Sequence, residues 1–230
     1  MRGHWIGAGL LAAAVTCAVP AQADQRYFTY TYDWFTPAQG EKEVEILWTQ
    51  ANGGNVDTEF EFEYGITNRW LVAPYLLAHR EHGGDWEVEG WKLEQRYRFG
   101  GFHYDRFMPA VYFEVKKEDH EAWELEGKLI TTYASSHGWL WSTNLIFEGA
   151  VENNSDLEVG YASGISFKVN DQVRAGAEFF GEWHPDQEHF FGPTATYLFN
   201  SSTRLLATVG FRYLGGEGGA VRVMFEKEWR

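Results

Sequence analysis

The sequence predicts an all-β fold: a transmembrane, up-and-down antiparallel β-barrel of about 12 strands with short loops. Three observations lead there. Hydropathy alternates with period two along a series of short stretches, and the connections between those stretches alternate between two chemical types. The chain also combines 17% aromatic residues and 11 Trp with a mean hydropathy of −0.40. So many rings at so low a hydropathy are hard to bury in a water-soluble core of this size. They suit a wall that is apolar on one face and polar on the other.

The opening 23 residues read as a cleaved signal peptide. Arg2 supplies the positive start, Ile6 to Val19 is rich in Ala, Leu and Val, and "PAQAD" offers cleavage after Ala23. Cys17 is the only cysteine and lies in this leader, so no disulfide is expected in the remainder. A lipid anchor at Cys17 is the weaker alternative, because "AVTC" departs from the usual acylation pattern. Residues 24–40, "DQRYFTYTYDWFTPAQG", are less regular and read as a periplasmic lead-in or a partial strand. The barrel itself is expected over 41–230, as one domain.

Successive side chains of a strand point to opposite faces, so each stretch defines two faces. Stretch 41–50 opposes Glu43/Glu45 to Val44/Ile46/Trp48, and 56–66 opposes Glu59/Glu61/Glu63 to Phe60/Phe62/Tyr64, with Thr67-Asn68 as the turn that follows. Stretch 69–79 is apolar in both parities; Leu71/Ala73/Tyr75/Leu77 are placed on the apolar face. Stretch 85–99 carries Lys92, Glu94, Arg96 and Arg98 on its polar side. Stretch 106–117 opposes Phe107/Val111/Phe113/Val115 to Glu114, and 121–133 opposes Trp123/Leu125/Leu129 to Glu124/Glu126/Lys128. Stretch 137–149 shows Trp139/Trp141/Leu145/Phe147, and 156–168 sets Val159/Tyr161/Ile165/Phe167 against Glu158/Lys168. Stretch 172–183 opposes Val173/Ala175/Ala177/Phe179 to Arg174/Glu178/Glu182, and 189–199 follows it. Stretches 203–214 and 219–229 place Arg204, Arg212, Arg222 and Glu226 against Leu205/Ala207/Val209/Phe211 and Val221/Val223/Phe225.

Which face is inside follows from where the rings lie. Trp48, Trp123 and Trp183 fall near one end of their strands, with Tyr213 in the same girdle. Tyr64, Trp70, Tyr133, Trp139 and Trp229 fall near the other. Two aromatic girdles mark two water–lipid interfaces, whereas a soluble core has no reason to push its Trp to both rims. Stretches of about ten residues match a tilted membrane strand. The expected lumen lining is therefore Glu59, Glu61, Glu63, Lys92, Glu94, Arg96, Arg98, Glu114, Glu124, Glu126, Arg174, Glu178 and Arg212. An even strand count places both termini on the periplasmic side. Arg230 after Trp229, and Lys227 on the outward parity, weaken the C-terminal assembly signal.

The hairpin "EFEFEYGITNRWLVAPYL" and the following "WEVEGWKLEQRYRF" resemble the outer-membrane transporter-like barrels of the meta-pathway phenol-degradation type, over residues 56–99. The resemblance implies an outer-membrane barrel that moves small, often hydrophobic molecules, and it carries over no catalytic residue.

The net charge of −14 argues against nucleic acid as a partner, since that affinity rests on cations neutralising phosphates. The expected partners are outer-membrane lipid, the outer-membrane assembly machinery and a small solute, in a Gram-negative-type cell. His79, His82 and Asp85 in one loop, and His184, Asp186, Glu188 and His189 in another, have the chemistry of metal ligands. They lack a compact motif and read as solvated loop residues, so no metal and no cofactor is expected. Ser135, Ser136, His137 and Ser142 could serve a lipid-acting enzyme on the outer wall, but nothing in their spacing specifies a nucleophile, base and orienting group. No catalytic residue is assigned, and a passive pore is favoured over a lipid-modifying or purely structural barrel. Glu59/Glu61/Glu63 fit a cation selector or a salt-bridged scaffold, and the sequence leaves both open. "YLGGEGGAVR" lacks the strand-to-helix setting of a phosphate loop and reads as a hairpin loop.

Overall fold

The computed structural model describes residues 26–51, 53–152, 156–183, 188–214 and 218–230. The expected leader and its cleavage site lie outside them. The strands are β1 Lys42–Ala51, β2 Val56–Thr67, β3 Trp70–Arg80, β4 Glu87–Arg98, β5 Phe107–Glu118 and β6 Trp123–Ala134. They continue as β7 Trp139–Ala150, β8 Glu158–Lys168, β9 Val173–Glu182, β10 His189–Asn200, β11 Thr203–Leu214 and β12 Gly219–Trp229. No boundary differs from its predicted stretch by more than two residues. Each strand pairs antiparallel with its neighbours in sequence, and β1 closes on β12 with Lys42 opposite Trp229 and Ala51 opposite Ala220. Closure leaves no unpaired sheet edge.

The alternation fixes which side faces in. Phe60 is 44% exposed and Phe62 38%, on the outer surface, while Glu61 and Glu63 between them are 2% and 0% exposed on the inside. The girdle residues Tyr64, Trp70, Trp123, Trp139, Trp183, Tyr213 and Trp229 are exposed near strand ends, and Trp48 and Tyr133 are half-buried on the same outer parity.

Strand β3 corrects the sequence reading. Leu71, Ala73, Tyr75 and Leu77 are buried on the lumen side, and Trp70 and Leu76 face out. Both parities of this strand are apolar, so its alternation carries no phase. The phase comes from its neighbours: Trp70 lies opposite the outward Tyr97, and Tyr75 opposite the inward Glu61 and Lys92. The β2–β3 turn is also displaced by one residue, to Asn68–Arg69, with Arg69 N–H donating to Thr67 Oγ1 at 3.1 Å.

The two C-terminal cations have local partners at the short-turn end. Lys227 donates to Ser202 Oγ at 2.9 Å and Thr203 Oγ1 at 3.0 Å. Arg230 meets Glu41 at 2.6 Å, which brings the last residue beside the start of β1.

Residues 26–40 form neither a strand nor an external lead-in. Arg26, Phe28, Thr29, Thr31, Tyr32, Asp33, Trp34, Phe35 and Thr36 are all buried, inside the barrel. The segment enters past Gly65, where Gly40 N–H donates to Gly65 O at 2.9 Å. A Cβ on Gly65 would lie 2.1 Å from the Ala38 carbonyl oxygen, so only glycine admits the chain there. This is the glycine that breaks the Glu-Phe-Glu-Phe-Glu-Tyr run.

Candidate functional site

A backbone lodged inside a closed barrel has no ladder to join, so its polar groups need other partners. The wall supplies them from side chains. Glu178 on β9 accepts from the N–H groups of Thr29 at 2.9 Å, Tyr30 at 2.8 Å and Thr31 at 2.9 Å, and from the Thr208 hydroxyl at 2.7 Å. Asn144 on β7 accepts from Tyr32 N–H at 2.7 Å and donates back to Tyr32 O at 2.8 Å. Thr132 on β6 accepts from Trp34 N–H at 2.9 Å. Carbonyl oxygens receive Arg222 at Thr29 (3.2 Å) and Arg96 at Phe35 (3.1 Å). The expected lumen residue Glu178 is thus the anchor of the segment.

The segment's rings make the second set of contacts. Phe28, Tyr32, Trp34 and Phe35 pack with Met108, Ala110, Tyr112, Ile130, Ala134 and Leu140 from β5, β6 and β7. Gly164 on β8 leaves room for Phe28: a Cβ there would sit 2.5 Å from the ring. Wall cations lie over the rings: Arg174 on Tyr27 at 4.8 Å, Arg222 on Tyr30 at 4.5 Å, and Arg98 on Trp34 at 4.3 Å. Tyr32 takes Arg26 at 4.2 Å and Lys128 at 4.1 Å. Arg26 and Lys128 are buried with Tyr32, where a cation on the negative face of a ring is worth about 2 kcal/mol. The half-buried Arg98, Arg174 and Arg222 make pairs worth about 0.5–1 kcal/mol.

The remaining lumen residues form paired charges. Lys92 bridges Glu59 at 2.7 Å and Glu114 at 3.2 Å, and Arg222 also reaches Glu59 at 3.0 Å. Arg96 joins Glu63 at 2.6 Å and Glu94 at 3.2 Å. Glu124 meets Lys116 and Glu126 meets Lys128, at 2.6 and 2.8 Å. Three predicted residues stand apart. Arg212 pairs with Glu188 at the loop-end rim, Arg98 binds the Asn68 carbonyl in the β2–β3 turn, and Arg174 holds Ser166 and Gly138 near the β7 turn. Glu59, Glu61 and Glu63 do not act together: Glu59 belongs to the Lys92/Arg222 group, while Glu61 and Glu63 lie with Glu43, Glu45 and Glu226.

Two cavities meet the segment from opposite ends. One of about 320 Å³ opens among the longer loops and is lined by Tyr30, Tyr32, Glu59, Lys92, Lys116 and Arg222. The other, about 620 Å³, opens at the opposite end, among the β4–β5, β6–β7 and β8–β9 connections, and is lined by Tyr27, Phe35, Tyr104, Trp139, Lys168 and Arg174. Arg26 to Phe35 lie between them.

Of the loop residues, His82 and Asp85 are exposed between β3 and β4 as expected, whereas His79 and His189 lie on strands and have partners. His79 pairs with Asp57 at 2.6 Å, and with Glu89 at 3.9 Å. His189 is buried, with Nδ1 3.0 Å from the Tyr161 hydroxyl. Residues 184–187 fall outside the described residues. Ser142 is not on the outer wall: it is buried in the lumen, 2.5 Å from the Thr132 hydroxyl. Ser136 Oγ lies 3.3 Å from His137 Nδ1, but Asp105 accepts from the Ser136 N–H and is not hydrogen-bonded to the imidazole. These groups cap a turn and do not assemble nucleophile, base and orienting acid.

Parity in the sequence already placed Arg204 and Glu226 on the inner face, where both are buried. It missed Arg26 and Tyr32, because residues 24–40 read as a lead-in or partial strand, and it did not single out the uncharged Thr132 and Asn144, which share the inward parity of Lys128 and Glu148.

No protein-family model matches this chain, and no curated protein matches it. Solved structures do. The KdgM porin in complex with disordered oligogalacturonate superposes with a TM-score of 0.64 at 8% identity, covering 82% of this chain and 99% of that one. The COG4313 outer membrane channel from Pseudomonas putida F1 gives a TM-score of 0.64 at 11% identity, covering 88% and 100%. The NanC porin gives 0.60 at 7% identity, covering 80% and 98%. At these identities the likeness is one of fold: this chain has the 12-strand barrel architecture of outer-membrane porins and channels.

Proposed function

We propose that the chain is an outer-membrane barrel and a passive conduit for small molecules, with residues 26–40 as its internal constriction. The observation that carries this reading is the pair of cavities that approach one segment from opposite ends, Tyr30 and Tyr32 facing one and Tyr27 and Phe35 the other. Placement in the membrane rests on the outer face, where Phe60, Leu129, Trp141 and Phe211 are exposed between two aromatic rims. Outer-membrane lipid and the assembly machinery are then its partners.

The solute class follows from what the lumen binds. The rings of Tyr27, Tyr30, Tyr32 and Trp34 rest on the wall cations Arg174, Arg222, Lys128 and Arg98. A solute that carries an aromatic ring, alone or with a carboxylate, suits the same surfaces once the segment yields. The hairpin resemblance over residues 56–99 points the same way, toward small hydrophobic compounds. Benzoate and phenol should therefore enter proteoliposomes holding the refolded barrel faster than a neutral sugar of similar size. Equal rates for ring and sugar would remove the aromatic preference, and no flux above empty liposomes would remove the conduit.

A further inference from the structure

On the inner face of β12, β1 and β2, six glutamates stand in two rows. Glu43 lies directly opposite Glu228 on one side and Glu63 on the other; Glu45 lies directly opposite Glu226 and Glu61. Like charges in direct cross-strand register repel. All six are buried, in a low-dielectric setting where an ionised carboxylate needs compensation. Among the described residues three guanidinium groups reach the array: Arg26 on Glu45 at 2.8 Å, Arg96 on Glu63 at 2.6 Å and Arg204 on Glu226 at 2.6 Å.

Glu61 is the member that points to a ligand. It is 2% exposed, neither of its carboxylate oxygens makes a hydrogen bond, and its nearest cation is Arg26 at 3.9 Å. Its carboxylate is aimed at those of Glu45 and Glu63: one oxygen from each lies within 4.8 Å of the other two. Glu43, Glu45 and Glu226 form a second such triad, sharing Glu45.

We propose that this array is a binding site for a hard divalent cation, Ca²⁺, held between β12, β1 and β2. Oxygen atoms around one Ca²⁺ sit at about 2.3–2.6 Å, so opposite ligands are up to about 5 Å apart, which spans the observed spread. Carboxylates alone are hard ligands, and the absence of imidazole or thiolate from the two triads turns the site away from zinc or copper. Mg²⁺ keeps several of its waters, and the burial of Glu43, Glu45, Glu61 and Glu63 leaves little space for them. The ion ties three strands together across the β1–β12 closure, and this holds whether or not the barrel conducts.

The test uses the full chain without its leader, refolded in detergent with Tb³⁺ as a luminescent stand-in for Ca²⁺. Tyr75, directly opposite Glu61, is the sensitiser. Tyrosine-excited Tb³⁺ emission that Ca²⁺ displaces is expected in the wild type and in the exposed-loop control Glu81→Gln, with at least a tenfold weaker affinity in Glu61→Gln. Emission of equal affinity in Glu61→Gln, or none in the wild type, overturns the proposal. Should Glu61→Gln fail to fold, the wild type decides: barrel refolded with Ca²⁺ should unfold at a higher temperature than barrel refolded with EGTA. Equal midpoints would mean that protons, not a metal ion, neutralise the array.

Discussion

Glu178 has an unusual duty for a barrel carboxylate. It accepts three consecutive backbone N–H groups from residues 29–31 and a hydroxyl from Thr208, so one side chain replaces a stretch of sheet ladder. Hydrogen bonds to a charged acceptor are worth about 1.5–3 kcal/mol each, and buried donors left without one cost a similar amount. Glu178→Ala should therefore destabilise the lodged segment by several kcal/mol, on the order of 3 or more, while leaving β9 paired to β8 and β10. Amide hydrogen exchange checks this: residues 29–31 should lose protection and the strands keep theirs. Unchanged protection at 29–31 would mean that packing by Phe28 and Tyr32 holds the segment without Glu178. The inward direction of Glu178 was legible in the sequence from parity alone. Its partners were not, because they come from a segment 147 to 149 positions away.

Elements differ in how much of themselves they announce. Strands such as β2 and β11 declare both faces by alternation. Strand β3 is apolar on both parities, and its phase is set by β2 and β4. The segment 26–36, "RYFTYTYDWFT", alternates rings with Thr and Asp almost as a strand does. What keeps it from being one is non-local: the closing pair β1–β12 uses both edges that a thirteenth strand could join. Turns carry their own chemistry. The turn before β5 docks on the β6–β7 turn through Asp105, whose carboxyl is held below its usual range by the Ser136 hydroxyl and N–H. A lowered value means the contact stabilises above the ordinary carboxylate pKa of about 4 and is lost as pH falls through the lowered one. Protection of Ser136 N–H from exchange should accordingly drop in acid in the wild type and show no such step in Asp105→Asn. A matching step in the variant would assign the acid response to another group.

At the scale of the whole molecule, one polarity organises the wall: an apolar, ring-rich outer face, ion pairs on the inner face, and the segment of residues 26–36 folded into the interior with its own rings. The first two parts were legible because each follows from a local period of two. The third was not, since the lumen that receives the segment exists only after all of the strands have closed. The same closure sets residues 27–35 between the cavities of about 320 and 620 Å³, so the proposed conduit would be obstructed at this segment and not at the loops. Single-channel conductance in planar bilayers tests this most directly, comparing the refolded chain that retains residues 24–40 with one that begins at Pro37. Both should first show the folded, heat-modifiable gel band. The chain with its segment should conduct little, and removal of the segment should raise the conductance several-fold; equal conductances would show that residues 26–36 do not obstruct the path.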